Sequence, residues 1–99
     1  MVSNADDLKE RVEKYIKLEE EALGKIKITA PKNSFLKKIA DDSMEMIKNY
    51  YADAIYFYEK NDLLNAFAAL NYSYGWIDSG IRFGIFDGSG DSRLFTTYR

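Results

Sequence analysis

Any chemistry performed by this chain must come from aspartate, glutamate, lysine, arginine or tyrosine, because its 99 residues include no histidine and no cysteine. Histidine is the commonest general base and metal ligand near neutral pH, and cysteine supplies thiolate nucleophiles and the ligands of most structural zinc sites. The familiar Ser-His and Cys-His nucleophiles are therefore excluded. We expect no enzymatic activity, no catalytic residue, no metal site and no cofactor.

One acidic residue nevertheless lies in an apolar setting. Glu19 falls on the apolar face of the first predicted helix, where a carboxylate needs a partner or a shifted pKa. At about 1.5 Å per residue, an up-down-up stack of three helices places Glu19 near the height of a polar stripe on the third helix. We interpret this cluster as a structural hydrogen-bond and ion-pair network or, alternatively, as a binding site. The candidate binding residues are Glu19, Asn71, Tyr74, Asp78 and Arg82. Asp78 and Arg82 are four positions apart, so we expect them to form an ion pair.

Aromatic side chains occupy the side of the third predicted helix that lies opposite its apolar core stripe. Tyr72, Trp76 and Phe83 form this row, with Phe86 nearby, where a surface helix is normally polar. One interpretation is that the other two helices or the C-terminal tail cover these rings. The other is a surface that binds a protein partner or a second copy of the chain.

The surrounding pattern predicts three helices that position these residues. Apolar residues recur at three- and four-residue steps over about residues 4–26, 33–60 and 62–86. Pro31 precedes the second helix, and Asn61 and Asp62 supply a tight connection to the third. The sequence Asp-Gly-Ser-Gly at 87–90 is a stop signal. Short loops make neighbouring helices antiparallel, so we expect an all-α, up-down-up three-helix bundle.

The segments outside the helices are less regular. We expect the bundle domain to span residues 1–90 and the tail, 91–99, to be partly ordered or packed back, because Leu94, Phe95 and Tyr98 are too apolar for a solvated linker. Residues 25–31 alternate like a β-strand but are too short and isolated to pair. We therefore assign them to a helix end and a loop.

Small residues form a further stripe on the third helix. They are Ala66, Ala69, Ser73, Gly80 and Gly84. We interpret the stripe as close packing against a bulky neighbour from another helix, since small side chains let backbones approach closely.

Net charge and hydropathy restrict the partners. The formal net charge is −2, which gives no basic field to attract phosphate, so we do not expect nucleic acid as a partner. The chain has no apolar run long enough to cross a membrane and no apolar export segment at its start. We expect a cytoplasmic protein that does not associate with membranes.

The run from Tyr50 to Asp87 resembles an uncharacterised archaeal family known as domain of unknown function 357. The most specific part is Ala-Leu-Asn-Tyr-Ser-Tyr-Gly-Trp-Ile-Asp-Ser-Gly at residues 69–80. The resemblance implies a three-helix bundle in an archaeal cytoplasm and implies no activity. Some members of the family carry the domain beside a nucleotidyltransferase-like domain, which suits an accessory role.

These observations lead to two functional hypotheses of different kinds. The first is a non-enzymatic protein-interaction or accessory module that uses the aromatic row of the third helix to contact a protein partner or a second copy. The alternative is binding of a small ligand, related to a nucleotide, at the polar cluster between the first and third helices.

Overall fold

Three helices account for most of the chain in the computed structural model, which describes residues 4–91 and 93–95. They are α1 (Asn4–Lys25), α2 (Phe35–Glu59) and α3 (Leu63–Phe83). One core cluster joins Val12 early in α1, Ala54 late in α2 and Ala66 early in α3. The other joins Ala22, late in α1, to residues early in α2 and late in α3. Neighbouring helices therefore run in opposite directions. The predicted all-α three-helix architecture is confirmed.

Side-chain and backbone caps set the helix ends. Ser34 caps α2 by accepting a hydrogen bond from the Lys37 backbone N–H at 3.0 Å, and Asp62 caps α3 through the Asn65 N–H. Gly84 ends α3 in the left-handed conformation, with φ of 82°, which glycine adopts without a steric penalty. The prediction that the third helix continues to residue 86 is therefore wrong, because the stop lies at Gly84.

A short antiparallel ladder joins the two segments that follow α1 and α3. Strand β1 (Lys27–Ile28) pairs with β2 (Phe86–Asp87), with Lys27 opposite Asp87 and Ile28 opposite Phe86. Thr29 extends the contact, since its N–H donates to the Ile85 carbonyl at 3.0 Å. The prediction that residues 25–31 do not pair is wrong. Their partner lies in a segment that the helical periodicity had assigned to the third helix.

Two glycines leave the space that two buried aromatic rings occupy. A methyl group at Gly80 would overlap the ring of Phe86, and one at Gly88 would overlap the ring of Phe95. Phe86 is only 3% exposed, so its assignment to the exposed aromatic row is wrong. It lies on β2, past the end of α3. The close packing inferred for the small-residue stripe is present at Gly80, although the bulky neighbour comes from β2 and not from another helix.

The beginning of the tail packs onto the same core. Leu94 and Phe95 are buried and belong to the cluster that contains Phe86. Two surface ion pairs tie this segment to α1: Lys25 Nζ lies 2.7 Å from Asp91 Oδ2, and an Arg93–Glu21 pair lies beside it. These residues cover the end of the bundle and not the aromatic row. Tyr98 lies outside the described residues.

The glycines of α3 provide a matched test of this packing. We expect Gly80→Ala to lower the free energy of unfolding by about 1–3 kcal/mol, because its methyl group would displace the Phe86 ring. Gly75 lies in the same helix with open space around the position of a Cβ. In dilute solution, Gly75→Ala should therefore raise the stability of a single copy of the chain by about 0.5–1 kcal/mol through helix propensity. Urea denaturation of both variants checks this, and equal effects would contradict the packing described for Gly80.

Candidate functional site

Glu19 lies at the centre of the bundle, where all three helices meet. Its side chain is fully buried, and the Ser73 hydroxyl of α3 lies 2.6 Å from its Oε2. The same hydroxyl lies 3.0 Å from the backbone carbonyl of Ile47 in α2. Burial raises the pKa of Glu19 to about 7, and the Ser73 hydrogen bond offsets part of that rise. The sequence pattern placed Glu19 in an apolar face, and its carboxyl is indeed buried.

The hydrogen-bond geometry favours the neutral form of Glu19. Ser73 carries one hydroxyl proton, yet both neighbours of its oxygen can accept. If Glu19 is protonated, its O–H donates to Ser73 Oγ, and Ser73 donates to the Ile47 carbonyl, so every proton has an acceptor. If Glu19 is ionised, the single proton of Ser73 can be donated either to the Glu19 carboxylate or to the Ile47 carbonyl, and the other acceptor is left without a hydrogen bond. The other carboxyl oxygen, Oε1, has no hydrogen-bond partner among the described residues, which further disfavours a charge there.

The other predicted members of the polar cluster lie in two different places. Asn71 and Tyr74 line a groove beside α1, and burial together with the nearby charge of Glu19 raises the pKa of Tyr74 to about 12. Asp78 and Arg82 form the expected ion pair, at 3.1 Å, on the exposed side of α3. The hydrogen-bond partner of Glu19 is Ser73, which lies on the inward side of the helix.

The groove beside α1 is small. Its volume is about 210 Å³, and Arg93 from the tail forms part of its wall together with Tyr15, Leu18, Leu70, Asn71, Tyr74 and Leu94. Ligand pockets are commonly about 300–1,000 Å³, so this one is below the usual size for a metabolite. Arg93 was not anticipated, because the only sequence signal in the tail was its apolar character. Within the described residues, no group of three acidic side chains is arranged to hold a metal ion.

The aromatic row lies on the surface of α3. Phe83 is 81% exposed, Tyr72 63% and Trp76 37%. The three rings, together with Gly75 and Ser79, line a shallow groove of about 380 Å³. Tyr72 is held in place by stacking on Tyr50 of α2, with 5.3 Å between the ring centroids.

Helix α2 extends this apolar surface. Phe35, in its first turn, is 75% exposed, and Ile39 is also exposed. Because α2 and α3 are antiparallel, the start of α2 lies beside the end of α3, where Phe83 is found. We call Tyr72, Trp76, Phe83, Phe35 and Ile39 the aromatic face.

The raised pKa of Glu19 predicts a pH-dependent stability. In the unfolded chain the carboxyl loses its proton near pH 4.5, whereas in the folded chain it keeps it to about pH 7. The free energy of unfolding should therefore fall as pH rises from 4.5 to 7, by about 3 kcal/mol from this group. Glu19→Gln removes the titration, and its amide can donate to Ser73 in the same way as the acid. We expect this variant to match the parent near pH 4.5 and to exceed its stability at pH 8.

Denaturation at several pH values measures this difference. Glu20→Gln is the matched control, because Glu20 is the exposed neighbour of Glu19. A difference between Glu19→Gln and the parent chain that does not change with pH would contradict a neutral, buried Glu19.

Comparison with known proteins identifies the family. No curated protein and no solved structure is significantly similar to the chain. Among the described residues, no helix is both long and apolar enough to cross a membrane. Residues 14–86 match the family described as protein of unknown function (DUF357), and this stretch includes Glu19, Ser73 and the whole aromatic face. The match spans most of the 99 residues, and the chain therefore belongs to the DUF357 family.

Proposed function

We propose that the chain is a protein-interaction module and that the aromatic face is its contact surface. The observation that carries the proposal is the row of three exposed rings, Tyr72, Trp76 and Phe83, along one groove of α3. Phe35 and Ile39 are exposed at the start of α2, which lies beside the end of that row. Single exposed apolar residues are ordinary on protein surfaces, whereas a contiguous patch of this kind commonly marks a binding site.

The residue types also suit a contact surface. Tryptophan and tyrosine are enriched among the residues that dominate binding energy, because they bury large areas and have few rotatable bonds. Tyr72 is already fixed by its stacking on Tyr50, so less conformational entropy is lost when a partner covers it. The face lies on two packed helices, which fix the relative positions of its backbone segments.

The family resemblance also supports a setting for this module. We propose that it works in the cytoplasm of an archaeon and serves an accessory role, with no chemistry of its own. The support for a non-enzymatic role is the lack of histidine and cysteine in the sequence.

Photo-crosslinking at a position on the face tests the proposal. A benzophenone-bearing phenylalanine analogue in place of Phe83 should give a crosslinked adduct with another polypeptide in cells, because Phe83 is the most exposed ring of the face. The mass of the adduct, measured after purification through a tag on this chain, identifies the polypeptide.

The same analogue in place of Tyr56 is the matched control. Tyr56 is an exposed aromatic residue near the opposite end of α2, outside the face. Adducts of equal yield from both positions, or no adduct from Phe83, would overturn the proposal.

A further inference from the structure

We propose that the aromatic face binds a second copy of this chain, with α3 packing antiparallel against its counterpart about a two-fold axis at Ser79. This inference rests on the proposed function and names the partner. It would produce a symmetric homodimer, in which the same surface of both copies forms the interface.

The shape of α3 around Ser79 is self-complementary. Gly75 leaves a notch, because nothing lies within 4 Å of the position where a Cβ would stand. Phe83 projects from the same surface and is 81% exposed. Both residues lie four positions from Ser79, one on each side. In an antiparallel pair centred on Ser79, Phe83 of each copy therefore lies opposite the Gly75 notch of the other.

The groove on this surface fits that arrangement. The groove has a volume of about 380 Å³ and lies between Tyr72, Trp76 and Phe83. Gly75 and Ser79 are part of its lining. Small residues at the crossing point let the two helix backbones approach closely, while the large rings on either side fill the space between them.

The exposed apolar area is also of the size that a dimer needs. Aromatic side chains each present roughly 150–250 Å², so the exposed parts of the aromatic face leave on the order of 500 Å² of apolar surface on each copy. A standard interface buries about 800 Å² per partner, of which somewhat more than half is apolar. The apolar area of the face therefore matches the apolar part of such an interface.

The charges of α3 do not oppose pairing. The groove lining contains no charged residue, so two copies bring no like charges together at the centre of the interface. The nearest charged side chains on α3, Asp78 and Arg82, neutralise each other in an ion pair. The net charge of −2 per chain gives only weak long-range repulsion.

Light scattering after size exclusion gives the first test. At roughly 100 µM, well above the dissociation constant expected for a standard-size interface, the parent chain should have twice the chain mass of 11.4 kDa. Gly75→Leu should give the monomer mass, because the new side chain occupies the notch that Phe83 of the other copy needs. The variant should still fold, since the space around Gly75 is open and leucine favours a helix more than glycine does.

Gly24→Leu is the matched control. Gly24 lies in α1, away from the face, and also has open space at the position of a Cβ. This variant should remain a dimer, and both leucine variants should keep the helical circular-dichroism spectrum of the parent chain, which shows that each is folded. A parent chain that has the monomer mass, or a Gly75→Leu variant that remains a dimer, would overturn the inference.

A single cysteine tests the position of the axis. The chain has no cysteine of its own, so Ser79→Cys introduces one thiol that lies beside its symmetry mate in the proposed dimer. Mild oxidation should convert most of this variant to a disulfide-linked dimer. Ala68→Cys, also on α3, should remain uncrosslinked, because its symmetry mate would be about 33 Å away at 1.5 Å per residue. Equal crosslinking of the two variants would contradict the axis at Ser79.

The two proposals fail in different ways. If the purified chain is a monomer while the Phe83 analogue crosslinks a different protein in cells, the second copy is excluded as the partner and the interaction module stands. If the purified chain is a monomer and Phe83 gives no adduct, both proposals fail.

Discussion

Ser73 is the point at which the three helices are held at a common height. Its hydroxyl contacts the Glu19 carboxyl of α1 and the Ile47 carbonyl of α2, while its own backbone belongs to α3. A shift of α1 by one residue would move Glu19 by about 1.5 Å along the helix and rotate it by about 100°, which would take the carboxyl away from this contact. Apolar packing alone tolerates such shifts more readily, because it is not directional.

The aromatic face depends on this register. With Ile47 beside Ser73, Tyr50 comes to lie against Tyr72, and the start of α2 comes to lie beside the end of α3. The exposed rings of the two helices then form one surface. The contact that fixes the height of the helices is thus buried, whereas the surface that we assign to function is outside. The carboxyl that makes the contact is best accommodated without its charge.

The sequence predicted the features that depend on local periodicity. The three helices follow from apolar residues at three- and four-residue steps, the burial of Glu19 follows from its place in that pattern, and the Asp78–Arg82 pair follows from its spacing. The β ladder was not predictable in this way, because each strand has two residues and the partners are distant in sequence. Phe86 was misplaced for the same reason: the periodicity continues past Gly84, although the helix ends there. Arg93 and the exposed start of α2 depend on which neighbours cover them, which no local pattern encodes.

The ladder between β1 and β2 also has a consequence for the order in which the molecule folds. Lys27 pairs with Asp87, 60 positions further along the chain (87 minus 27), whereas α2 and α3 are joined by only three residues, 60–62. Contacts of low sequence separation form first, because closing a long loop loses more chain entropy. We therefore expect the α2–α3 hairpin to be the folding nucleus and the ladder to close late. The aromatic face lies wholly on the hairpin. In that order it forms before Phe86 and Phe95 pack onto the core.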